Sequence, residues 1–279
     1  MKGLALEDDT PRDFTSQISA SGTSKDEIPS AATLDEIPSA GTFGIVYRRT
    51  IESSEGTMEV GRSEDLQDWS SGRENHAKIS KGINRELRVW LELKHPTIVP
   101  LLGIAKVQDS LFPALISEWM SSGTLYAYLK EQGTISASTR IKLARGVADG
   151  LEYLHSRSVV HGDLHPGNVL VDGSGHPRLI DFGLATIAGD VESQLNTTTA
   201  GRSVNPQWRA PEVIGIDPET EPVRPNFESD VYSFGSVMFF IVSGVTPWHE
   251  KKSSNHIIIE LSKELLLHVP TTSLTITGT

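Results

Sequence analysis

Two short runs of this chain carry side chains able to do chemistry. The first is His161-Gly162-Asp163-Leu164-His165-Pro166-Gly167-Asn168, and the second is Asp181-Phe182-Gly183. Together they hold two carboxylates and one carboxamide at a spacing that suits phosphoryl transfer from ATP. In that reaction the protein mainly positions the reactants and neutralises charge. Asp163 can orient a hydroxyl and accept its proton. Asp181 can hold magnesium against the phosphates, and the amide of Asn168 can complete the metal shell.

These groups need elements to hold them. Val169-Leu170-Val171 and Arg178-Leu179-Ile180 read as short strands between the two runs. Ile141, Ala144, Val147, Ala148, Leu151 and Leu154 follow a helical period just upstream. A second helix is expected from about Ser229 into the 230s. A third is expected from Ile83 to about Lys94, with apolar residues at 83, 87, 90 and 91. Phe43, Ile45 and Tyr47 alternate with Gly44 and Val46, as in a strand beside a glycine turn. Thr97–Leu102 and Ala114–Ile116 also read as strands. Residues 50–78 are polar and weakly patterned. Met58-Glu59-Val60 starts like a strand but runs into Gly61-Arg62-Ser63. The character of the chain changes from strand-rich to helical near residue 121.

Composition bounds the rest. With 279 residues, 37% hydrophobic and 22% charged, the chain has room for two lobes around a cleft. A net charge of −11 argues against nucleic acid or an anionic membrane as the main partner. The absence of cysteine fits a reducing compartment, so an intracellular, cytoplasmic setting is expected. The apolar run Val237–Val242 is too short to span a membrane and reads as a buried helix. Residues 1–37 are acidic and poor in large apolar groups, which predicts a disordered tail. Asp26–Ala31 recurs as Asp35–Ala40, a local duplication. The expected layout is a tail over 1–37, a small β-rich lobe with one main helix over 38–120, a larger helical lobe over 121–269 and a tail over 270–279.

Several ordered motifs over residues 39 to 250 make the chain resemble the eukaryotic protein kinases, especially the tyrosine-kinase-like group. Ser39-Ala40-Gly41-Thr42-Phe43-Gly44-Ile45-Val46 is similar to the glycine-rich loop over the ATP phosphates. Glu86, upstream of His95-Pro96, resembles the helix glutamate that pairs with a third-strand lysine. Ser117-Glu118-Trp119-Met120 resembles the gatekeeper and hinge. Ala210-Pro211-Glu212 and Ser229-Asp230-Val231-Tyr232-Ser233-Phe234-Gly235 resemble the end of the activation segment and the helix that anchors the catalytic loop. The resemblance implies an α+β bilobal kinase fold with ATP and Mg2+ as cofactors and a protein substrate. Asp163 is then the catalytic base, and Asn168 and Asp181 are the metal ligands. The nucleotide-contacting set is Gly41, Phe43, Gly44, Val46, Glu86, Ser117, Glu118, Met120 and Leu170. His161 and Phe182 belong to a packed stack joining the lobes.

Aminoglycoside and choline phosphotransferases have a similar catalytic loop. They lack the Ala-Pro-Glu segment and the Ser-Asp-Val-Tyr-Ser-Phe-Gly helix, so a protein acceptor is expected. A dinucleotide-binding fold would need a glycine-rich turn running straight into a helix, and the chain has none.

The chain also departs from the pattern. No lysine lies between Lys25 and Lys78, so the third-strand lysine is missing. Loss of such a preorganised cation is expected to lower the rate roughly 10²–10³-fold. Gly162 stands where an arginine usually precedes the base, and His165 where serine/threonine kinases carry lysine. The run after Leu267 shows no further helical pattern, which predicts an exposed apolar patch on the large lobe. The expected activity is a kinase that favours serine or threonine over tyrosine. The alternative is a pseudokinase acting as a nucleotide-binding or scaffold module in signalling.

Overall fold

A computed structural model describes residues 12–13, 45–53, 56–64, 87–106, 113–182, 186–187, 205–216 and 222–267. Gly41, Phe43, Gly44 and Glu86 lie outside these residues, as does most of the expected N-terminal tail.

The described residues form the α+β, two-lobed arrangement. The small lobe is a five-stranded sheet of order β1-β4-β5-β3-β2. Its strands are β1 (Arg12–Asp13), β2 (Ile45–Ser53), β3 (Gly56–Glu64), β4 (Leu101–Ala105) and β5 (Ala114–Glu118). Within the expected tail, Arg12 and Asp13 pair in parallel with Gly103 and Ile104 of β4. Helix α1 is described over residues 87–92.

The 50–78 region corrects an expectation. It was expected to lack a full strand, yet β3 runs nine residues through Gly61-Arg62-Ser63. Pairing on both sides explains this. β3 is bonded to β2 from Ile45↔Glu64 to Ser53↔Gly56, and to β5 from Val60↔Glu118 to Ser63↔Leu115. Ladders on two edges override the weak strand preference of glycine and serine.

The two sheet faces are distinguished by what they bury. Val60, Ile116, Ala114 and Ala105 form one small cluster. Leu115 instead joins the main core with Val89, Trp90 and Leu93 from α1 and its exit. Because facing residues alternate along a strand, the register puts Gly61 and Ser117 on Leu115's face, toward α1.

The large lobe contains α2 (Leu125–Glu131), α3 (Ala137–Ser156), α4 (Pro211–Ile214), α5 (Phe227–Ser243) and α6 (Ser254–Leu267). Its strands are β6 (Val159–Val160), β7 (Val169–Val171), β8 (Pro177–Leu179) and β9 (Thr186–Ile187). Thr124 and Ser136 cap α2 and α3 by accepting from the N–H groups of Ala127 and Thr139. α3 buries the stripe Leu143, Val147, Leu151 and Leu154. Asn226 and Ser229 form a capping box at the start of α5. The run Val237–Val242, expected to be a buried helix, lies in α5 but is buried on one side only. Val237, Phe240 and Ile241 are buried, whereas Met238, Phe239 and Val242 are exposed. No helix among the described residues is long and apolar enough to cross a membrane.

The β7–β8 hairpin packs against α3 at a point where only glycine fits. A Cβ on Gly146 would meet Pro177 Cγ at 2.6 Å and Cδ at 2.9 Å. Alanine normally stabilises a helix interior by about 1 kcal/mol over glycine. Overpacking against a proline ring costs about 1–3 kcal/mol, so the clash outweighs the propensity. Gly146→Ala is expected to lower the melting temperature, and a rise would show that the contact relaxes freely.

Candidate active site

The loop of residues 161–168 hangs between β6 and β7. Its shape is set by one carboxylate from the far side of the lobe. Asp230, in the first turn of α5 and 1% exposed, accepts the N–H of His161 on Oδ2 (2.8 Å) and the N–H of Gly162 on Oδ1 (2.9 Å). Nε2 of His155 lies 2.9 Å from the same Oδ2. Gly162 has φ +79°, a left-handed conformation open to glycine. Arginine there would cost about 1–2 kcal/mol.

His161 is fully buried. Its Nδ1 accepts the N–H of Asp163 at 3.3 Å, and its ring lies 5.8 Å from that of Phe182. Phe182 in turn meets the edge of Trp90 of α1 at 5.9 Å. Trp90 donates to the Val99 carbonyl at 2.6 Å. These contacts link the loop through a packed aromatic stack to the small lobe, so His161 is a packing residue.

Asp163 and Asn168 are directly bonded, and a backbone bond places the neighbour of Asp181 against Asn168. The Asn168 side-chain amide donates to the Asp163 carbonyl at 2.9 Å. The Asn168 carbonyl accepts from Ile180 N–H at 3.1 Å, extending the β7–β8 pairing of Val169 with Leu179. Asp181 therefore follows the residue bonded to Asn168. Asp181 sits at φ +68°, an unfavourable conformation for a side chain that persists only where surroundings impose it.

The metal test is one of donor chemistry. Among the described residues no three His, Cys, Asp or Glu side chains cluster to form a metal cage. A magnesium ion on a triphosphate needs only one or two protein oxygens besides phosphate and water. The Asp181 carboxylate and Asn168 amide oxygen fit that demand.

Arg209 is the residue sequence reasoning missed. Its Nη2 lies 2.6 Å from Asp163 Oδ1, with side-chain exposures of 8% and 21% respectively. The turn that carries it is seated by Trp208, whose ring meets Phe240 of α5 edge-on at 5.9 Å. The available signal was an arginine between the apolar Trp208 and Ala210, since a buried cation needs an anion.

Burial pushes the Asp163 carboxyl up, but the neighbouring charges of His165 and Arg209, the Arg209 hydrogen bond and His161 outweigh it, leaving it below the usual carboxylate value. Burial lowers His165 from the usual imidazole value, with Asp163 opposing and His161 and Arg209 adding to the fall. Arg209, cationic at any physiological pH, is hydrogen-bonded to Asp163. His165 Nδ1 accepts from Gly167 N–H at 3.0 Å, so the ring braces the loop.

The remaining candidates have these contacts. Glu118 N–H donates to the Pro100 carbonyl, and Trp119 N–H to that of Glu59. The Met120 carbonyl accepts from Gly123 N–H. Met120 and Ser117 are buried. Leu170 is half-buried, bridged to Thr124 and packed against the main core. Val46 pairs with Ser63 in the β2–β3 ladder.

A family model described as "Protein kinase domain" matches residues 39–276. The chain belongs to the protein kinase family. Its kinase relatives include the serine/threonine-protein kinase CTR1 of Arabidopsis thaliana, 30% identical over 74% of this chain and 23% of the relative. The mitogen-activated protein kinase kinase kinase ANP1 of the same plant is 29% identical over 75% of this chain and 30% of the relative. The serine/threonine/tyrosine-protein kinase HT1, also from Arabidopsis thaliana, is 33% identical over 63% of this chain and 42% of the relative. The chain thus spans less than half the length of each of these kinases.

Proposed function

We propose that this protein is an ATP- and magnesium-dependent kinase that phosphorylates protein hydroxyls, serine or threonine in preference to tyrosine. The observation that supports the reading is the bonded unit Asp163–Asn168–Ile180, in which the Asn168 amide donates to the Asp163 carbonyl and Ile180, the neighbour of Asp181, bonds Asn168. The names of the relatives, two of them serine/threonine or mitogen-activated kinase kinase kinases, support the acceptor class.

In the proposed step the acceptor oxygen attacks the γ-phosphorus. The bond from that phosphorus to the β–γ bridging oxygen breaks, and ADP leaves with the electron pair. The acceptor proton passes toward the Asp163 carboxylate and on to solvent. Asn168 and Asp181 hold magnesium, which supplies charge neutralisation on the phosphates. The backbone of Glu118 and Met120 receives the adenine, and Leu170, Val46 and the glycine-rich loop enclose the nucleotide.

The strand register bears on the missing lysine. Ser63 pairs with Leu115 two residues beyond Gly61 in β3, and we assign to this register position the missing cation of the nucleotide site. Ser63→Lys is expected to raise kcat/KM for ATP about tenfold, a fraction of what preorganised charge contacts contribute. An unchanged or lower value would remove Ser63 from the nucleotide site.

Transfer of labelled γ-phosphate to a generic protein acceptor, with saturating ATP and magnesium, tests the function itself. Incorporation no greater than that of an Asp181→Ala control rejects the kinase reading. Mg-ATP that also leaves the melting temperature unmoved rejects nucleotide binding.

A further inference from the structure

Position 165 of this chain is engaged with its own loop. It is a buried histidine whose Nδ1 is engaged by Gly167 N–H. A positive charge beside Asp163 comes from residue 209, separated from the base by 46 positions. Both neighbours of Arg209, Trp208 and Ala210, are buried, and so is Arg209 itself. A guanidinium in such surroundings makes a strong, directional bond to a carboxylate.

We infer that Arg209 is the positioning residue for the base: it pins Oδ1 of Asp163 and so leaves Oδ2 to meet the acceptor hydroxyl. A carboxylate anchored at one oxygen loses much of its rotational freedom, which favours one orientation of the other oxygen toward the acceptor. The fixed charge also stands beside the phosphoryl group as it transfers, where little reorganisation is needed. Because Arg209 immediately precedes Ala210-Pro211-Glu212, the pair ties the end of the activation segment to the catalytic loop. The inference rests on the kinase reading above and deepens it.

A double-mutant cycle in the labelled-transfer assay, with Mg-ATP and casein as acceptor, tests the pair. Arg209→Gln is expected to lower kcat about 10²-fold and to leave KM for ATP within about threefold. Arg209→Lys, which keeps the charge but loses the fork, should fall between the two. In an Asp163→Asn background, Arg209→Gln should cost less than about threefold more, because the two residues act as a unit. A residue that merely supports the fold would multiply its loss in that background. Multiplied losses, an unchanged kcat, or a faster Arg209→Gln enzyme, as expected if the pair were inhibitory, would each overturn the inference. If Arg209→Gln does not fold, the same cycle with Arg209→Lys decides: a drop of about tenfold that vanishes beside Asp163→Asn supports the role, and any other result overturns it. Unsubstituted protein no more active than its Asp181→Ala control sinks the kinase reading and this inference with it. Active protein with an indifferent Arg209 sinks the inference alone.

Discussion

Asp181→Ala is expected to lower phosphate transfer by at least about 10³-fold, the upper range for loss of a preorganised charge contact. The carboxylate is one of the two side chains proposed to hold magnesium. Nothing else among the described residues gathers enough acidic or imidazole groups to replace it. Retained transfer within about tenfold of the unsubstituted protein would remove Asp181 from the site. Stability should respond differently. Residue 181 is left-handed, at φ +68°, where alanine is strained by about 1–2 kcal/mol and glycine is not. Glycine usually destabilises through the freedom of its unfolded chain, by about 0.4–1 kcal/mol. The strain is the larger figure, so Asp181→Gly should melt no lower than Asp181→Ala while being equally inactive. That pattern is the mark of a conformation held for function at a cost in stability.

Asp230→Ala is expected to destabilise the protein by about 3–5 kcal/mol, the range for removing one side of a buried charged network. The N–H groups of His161 and Gly162, and Nε2 of His155, all converge on this carboxylate. Alanine leaves the two backbone donors buried without an acceptor. At about 2–4 °C per kcal/mol for a chain of this size, the melting temperature should fall about 10 °C. Asp230→Asn keeps one oxygen and should lose roughly half as much. An Asp230→Ala protein melting within about 2 °C of the original would mean that the loop is held by other contacts. Below the melting transition Asp230→Ala should also transfer phosphate poorly, since residues 161 and 162 fix the direction in which Asp163 leaves the loop.

Much of this arrangement was legible in the chain. The amphipathic periods of residues 141–154 and of the 230s predict α3 and α5, and the apolar triplets beside the two chemical runs predict β7 and β8. These signals are local, because a helix or hairpin strand is recorded in the spacing of its own side chains. The half-exposed side of α5 shows where such reading stops. Val237–Val242 is apolar throughout, but a helix turns Met238, Phe239 and Val242 away from the contacts that bury Val237, Phe240 and Ile241. β3 was illegible for another reason. Its Gly61-Arg62-Ser63 segment has little strand character of its own and takes its form from ladders on both sides.

By itself, then, the amino-acid order determined which groups could do chemistry. Asp163 and Asn168 share one loop, and Asp181 follows the short β7–β8 hairpin after it. Only the folded molecule decided what braces and charges them. Arg209 lies 46 positions from Asp163, and Asp230, which holds the loop through Gly162, lies 68 positions from that glycine; no periodicity relates residues so distant. Their meeting depends on how α5 and the 205–210 turn pack against the loop, where a buried carboxylate requires hydrogen-bond donors and a buried guanidinium an anion.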